Sequence, residues 1–117
     1  SKLNYLSEET EIEIVSKKIK ANDDEKKYIK SMVKLANLTR KGFANGDIST
    51  VMSPRTVITW ADNYDIFKDL PHSFKLSFLN KCDELERSIV AEYYQRCFGS
   101  ELNTSSTAKS VEKNNGR

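Results

Sequence analysis

The sequence predicts an all-α fold, a small bundle of about four or five helices with a disordered C-terminal tail. Three observations carry that expectation. Apolar residues recur three and four positions apart through most of the chain. Helix-start signals precede these stretches, at Ser7, at Asn22 with Glu25, at Ser53-Pro54 and at Asp83 with Glu86. The alternation that marks a half-buried strand is missing, apart from a short extended piece at Ile48–Met52.

Ser7 caps a first helix running to about Lys20. Glu8, Glu9, Glu11 and Glu13 occupy its start, and Lys17, Lys18 and Lys20 its end, an order that complements the helix dipole. Ile12, Val15 and Ile19 form its buried stripe, with Ile14 beside it. Asn22 and Glu25 have the spacing of a capping box and open a second helix that runs to about Arg40. Tyr28, Ile29, Met32, Val33 and Ala36 line its inner face, widened by Leu35 and Leu38. Gly42 and the Asn45-Gly46-Asp47 run then stop the helix and turn the chain.

In "VMSPRTVITWADN" Ser53 is the N-cap of a third helix, and Pro54 stands at its first position, where a missing N–H costs nothing. Val57, Trp60, Ala61, Tyr64 and Phe67 are its buried face. "KDLPHS" breaks the chain at Pro71. Phe74, Phe78, Leu79 and Cys82 fit one more helix. Asp83 and Glu86 match another capping box, so a last helix covers Glu84 to Cys97 with Leu85, Ile89, Val90, Tyr93 and Cys97 inward, the alternative being one bent helix through Asp83. Gly99 ends the ordered domain, residues 1–100. Residues 101–117 hold too little apolar surface to offset ordering entropy, and form the tail.

The 117 residues suit one domain, and 38% hydrophobic against 31% charged residues suits a soluble, cytoplasmic globular protein. No apolar run nears the roughly 20 residues that cross a bilayer. The abrupt apolar start, Leu3, Tyr5 and Leu6, suggests a piece of a longer chain. Net charge is +2, with ten basic and eight acidic side chains in residues 1–47 and six against seven in residues 48–100. That balance lacks the basic stripe of a nucleic-acid binder.

Few side chains suggest chemistry. Cys82 and Cys97 lack metal-ligand spacing and read as reduced, largely buried thiols; no metal site is expected. His72, the only histidine, reads as a surface or capping residue. Asp83, Glu84 and Glu86 suit a helix's first turn better than general acid–base work. Tyr93, Tyr94 and Phe98 read as core and rim rather than a stacking surface. Lys26, Lys27, Lys30 and Lys34 line one helical face, solvated or turned to an acidic partner. No glycine opens a phosphate-binding G-x-x-x-x-G-K-[ST] loop.

Arg55 is different. A cation at the second position of a helix opposes the dipole. With first-turn N–H groups and the Ser53 hydroxyl it has the makings of a phosphate grip, since the planar guanidinium can hold two phosphate oxygens. The plain alternative is an arginine reaching into water.

"VMSPRTVITWADN" and "FLNKCDELERSIVAEYYQRCFG", with "LNYLSEETEIEIV" and "LANLTRKGFANGDIST", resemble the C-terminal part of the AAA+ ATPase subunits of aerobic cobaltochelatases, MoxR-like proteins. The resemblance covers about residues 3–102. It implies a helical lid that follows an α/β nucleotide domain. It also implies a ring, usually hexameric, coupling ATP hydrolysis with Mg2+ to cobalt insertion into a corrinoid, hydrogenobyrinic acid a,c-diamide, in cobalamin biosynthesis. Implied partners are the upstream nucleotide domain, a subunit with a metal-dependent adhesion-site domain and a large tetrapyrrole-binding subunit, with no nucleic acid and no membrane. Arg55 then resembles the sensor 2 arginine on the terminal phosphates, with Ser53 beside it. Walker A, Walker B, sensor 1 and the arginine finger are missing from this stretch, so alone it is expected to be inactive. The competing expectation is a non-enzymatic helical module that binds protein or DNA.

Overall fold

The computed structural model describes residues 6–102; Leu3, Tyr5 and residues 103–117, most of the proposed tail, lie outside them. The described chain is all-α: α1 (Glu8–Ile19), α2 (Asp23–Asn45), α3 (Pro54–Phe67), α4 (Leu70–Ser77) and α5 (Arg87–Phe98), with two 3-10 turns at Leu79–Lys81 and Glu84–Glu86. Among the described residues there is no strand, and Ile48–Met52 is a loop. No helix among them is long and apolar enough to cross a membrane.

Local chemistry sets the starts. Ser7 Oγ accepts from the Thr10 amide. Asn22 and Glu25 form the expected box, each side chain taking the other's backbone N–H at 2.8 Å. Ser53 Oγ accepts from the Thr56 amide at 3.2 Å, with Pro54 at the first helical position. Asp69 caps α4 through the His72 amide, so the break falls before Leu70 and Pro71 lies inside the first turn rather than at the break.

Several expectations are corrected. Gly42 does not stop α2; the helix runs on to Asn45 and ends at Gly46, whose φ of 83° suits glycine. Asp83 and Glu86 do not form a box. Asp83 caps the 3-10 turn through the Leu85 amide, while the Glu86 carboxylate reaches across the fold to the amide and hydroxyl of Ser49. The last helix therefore starts at Arg87, and Leu85, expected inward, is 88% exposed. Leu102, assigned to the tail, is buried with the core.

The core centres on Trp60, which is fully buried. Its ring lies 4.8 Å from Phe74 and 5.7 Å from Phe98, and its indole N–H donates to Ser73 Oγ. Tyr94 joins them, 5.2 Å from Phe74 and stacked on Phe98 at 4.7 Å. Burying such rings with the indole satisfied supplies both area and orientation. Ile14, Tyr28 and Phe67, assigned to or beside the inner stripes, are exposed.

Gly42 is a point of close contact between α2 and α5. A Cβ there would run into the Tyr93 hydroxyl and meet Ile48 at 3.3 Å. The missing side chain serves packing, not termination.

Candidate functional site

The mouth of α3 is held from behind by α2. Thr39 Oγ1 accepts from the Met52 amide at 3.0 Å, and Arg40 Nε donates to the Met52 carbonyl at 2.9 Å. Both backbone polar groups of the residue before Ser53 are thus fixed by consecutive side chains of α2. Thr39, Arg40 and Met52 are all buried.

Arg40 is itself fixed. Its two terminal nitrogens donate to the two carboxylate oxygens of Glu11, each at 2.8 Å, and Nη1 also donates to Asn37 Oδ1 at 2.9 Å. Asn37 in turn donates to the Glu8 carboxylate. Glu11 is 0% exposed and Arg40 5%. A buried charge pair is tolerable only with such complete bidentate satisfaction. The sequence reading placed Glu11 among dipole-compensating carboxylates and gave Arg40 no role. The available signal was position: Glu11 lies one turn before Val15, on the apolar face of α1.

Arg55 sits on this platform. It is exposed, and among the described residues it makes no hydrogen bond or ion pair. The first turn offers less than expected. Pro54 has no N–H, the Thr56 amide is taken by Ser53 Oγ, and the Val57 amide by the Ser53 carbonyl at 3.1 Å. The Arg55 amide is what remains. Ser53 Oγ also lies 3.1 Å from Thr56 Oγ1, so its first task is the cap. The mouth therefore offers an outside anion one guanidinium and one amide on a rigid base.

The other singled-out residues do not converge on chemistry. Cys82 is buried, Cys97 half-buried, and both are free thiols. Burial pushes the Cys82 thiol up to about 11, against the opposing pull of Arg87, and raises Cys97 despite Lys34 and Arg96. His72 is exposed, its ring edge-on to Phe67 at 5.1 Å. Asp83, Glu84 and Glu86 point to separate partners or to water. No cluster of three or more His, Cys, Asp or Glu side chains suited to a metal occurs among the described residues. Tyr93 and Tyr94 are buried, so they offer no platform for bases. Lys27, Lys30 and Lys34 line a groove against α5; Lys26 does not.

The chain is 57% identical over 102 residues, 86% of its length, to the aerobic cobaltochelatase subunit CobS of Sinorhizobium sp. It spans about 31% of that relative's length. No family model matches the chain. No solved structure matches it.

Proposed function

We propose that this chain is the helical lid of an AAA+, MoxR-like ATPase subunit of the aerobic cobaltochelatase class, in a parent that couples ATP turnover to cobalt insertion into a corrinoid. The observation that carries the reading is the 57% identity to the CobS subunit across nearly the whole chain. The parent works as a ring, usually of six, in the cytoplasm. Its partners are an adhesion-site subunit and a large tetrapyrrole-binding subunit.

In this reading Arg55 is the lid's phosphate contact. Bound nucleotide supplies the anionic terminal phosphates, and Mg2+ is held with it by the parent's nucleotide domain. The residues present fit one anionic contact: an unpaired guanidinium, one free amide and a clamped backbone behind them. The guanidinium's fork would take two phosphoryl oxygens and offset charge that grows during transfer. Ser53 acts first by holding the helix mouth and second by lying beside the phosphate. Because Arg55 rides on the lid, the closed state gains the contact and the open state loses it, which is what shifts a population. Alone, the chain would lack the nucleotide domain's machinery and be inactive.

A helix-turn-helix built on α2 and α3, as the competing DNA-binding reading would have it, is disfavoured by their connection. Eight residues separate Asn45 from Pro54, against the three or four of a helix-turn-helix.

The test is Arg55→Ala in the full-length parent protein. The fold, read by circular dichroism, is expected to persist, and ATP turnover to fall roughly a hundredfold to a thousandfold, the range for loss of one preorganised charge-stabilising donor. Unchanged turnover at saturating ATP would remove Arg55 from this role.

A further inference from the structure

A second feature, far from the helix mouth in character, is a basic groove between α2 and α5. Two adjoining cavities of about 550 and 460 Å³ share Ser31 and Cys97, and together form one trough. Lys27, Lys30, Lys34 and Lys41 rise along its α2 wall, and Arg96 stands on the α5 side. Its floor is apolar and half-buried, built from Leu38, Cys97 and Phe98.

The charge is unbalanced. All four lysines are exposed, and none forms an ion pair among the described residues. Arg96 reaches Glu92 at 3.8 Å on the surface and lies 5.9 Å from the centre of the Tyr93 ring. The trough's two carboxylates are Glu8 and Asp24, and Glu8 already accepts from Asn37. Lys30 and Lys34 are four apart on one helix, a like-charge spacing that weakens the helix unless an anion lies over it.

We propose that this groove docks an acidic amphipathic helix from a partner protein. From Asp24 to Lys41 the α2 wall spans about 26 Å at the helical rise per residue. That length suits a partner helix of about 17 residues and far exceeds a single phosphate. An apolar floor between basic rims is the pattern that accepts a helix with one apolar stripe flanked by carboxylates. The chain's own residues 103–117 have the wrong sign, with Lys109, Lys113 and Arg117 against Glu112. Duplex DNA is a poorer match, because the recognition surface is half apolar and the chain's net charge is only +2.

Fluorescence anisotropy on the 117-residue chain tests this with two 18-residue peptides of one composition. One places leucines on a single helical face between glutamates; the other is scrambled. The ordered peptide is expected to bind at low salt at least tenfold more tightly than the scrambled one. Lys30→Glu with Lys34→Glu should weaken it at least tenfold, while Lys26→Glu with Lys81→Glu, outside the groove, should not. Binding should also slow alkylation of Cys97 at least threefold. No binding by the ordered peptide, equal binding by both, or insensitivity to Lys30→Glu/Lys34→Glu would overturn the proposal. So would tighter binding by duplex DNA of equal charge, or self-association that the double substitution abolishes. Unaltered Cys97 alkylation at saturating peptide would overturn it as well.

Discussion

Arg40 and Glu11 meet fork to fork, 2.8 Å at both prongs, with neither side chain open to water. They come from different helices, and the same guanidinium reaches on to the Met52 carbonyl just ahead of the α3 mouth. Removing either partner strands the other as a buried charge. Glu11→Ala and Arg40→Ala are each expected to cost about 3–5 kcal/mol, read by urea denaturation. The double variant Glu11→Ala with Arg40→Ala should cost clearly less than the two single variants summed. Additive losses would mean the pair is not coupled as its geometry indicates.

The cap at Ser53 is a smaller, local term. Ser53→Ala should lower stability by about 1 kcal/mol, and Ser53→Asp should restore most of it. If Ser53→Ala were silent in denaturation, the 3.2 Å contact to the Thr56 amide would contribute nothing measurable.

Gly42 gives a test with opposing expectations. In an open helix interior, glycine to alanine stabilises by roughly 1 kcal/mol. Here the new methyl collides with the Tyr93 hydroxyl, so Gly42→Ala should destabilise, by about 1–3 kcal/mol. Tyr93→Phe removes the obstructing oxygen and should recover part of that loss. A stabilised Gly42→Ala variant would mean that α5 yields freely.

Cys82 ties packing to pH. Its thiol is raised from 9.0 to about 11, first by burial. The folded state therefore holds this proton more tightly than the unfolded chain does. The contribution is fully present below pH 9 and is lost as pH climbs towards 11. Tyr94, raised to about 12 by burial, extends the same trend upward. Stability should fall with pH across this alkaline range, and less steeply in Cys82→Ala. At pH 8 the native thiol should also alkylate about a hundredfold more slowly than the same thiol in urea, following its smaller thiolate fraction. Equal rates in native buffer and in urea would contradict the burial.

How much could be read in the one-dimensional chain depends on how local each determinant is. Ser7, Asn22 with Glu25, and Ser53-Pro54 act within one helical turn, and each caps as its spacing implies. The all-α class followed from the same periodicity. Two of the misreadings are cases where a distant partner took over. Gly42 looks like a helix stop until Tyr93 is brought against it, and Glu86 matches a capping box until Ser49, 37 positions away, claims its carboxylate. Arg55 was visible because an unfavourable charge at a helix start is a local anomaly. The pair that supports its helix, Glu11 with Arg40, was not, since its members stand 29 positions apart.

Met52 is seized at both its amide and its carbonyl by neighbouring side chains of α2. A tug on the α3 mouth is therefore delivered to a stiff rod about 34 Å long, at the usual rise for its 23 residues. Such a rod gears motion: a tilt too slight to notice where it is gripped becomes a swing at its opposite tip, near Asp24, where the basic trough begins.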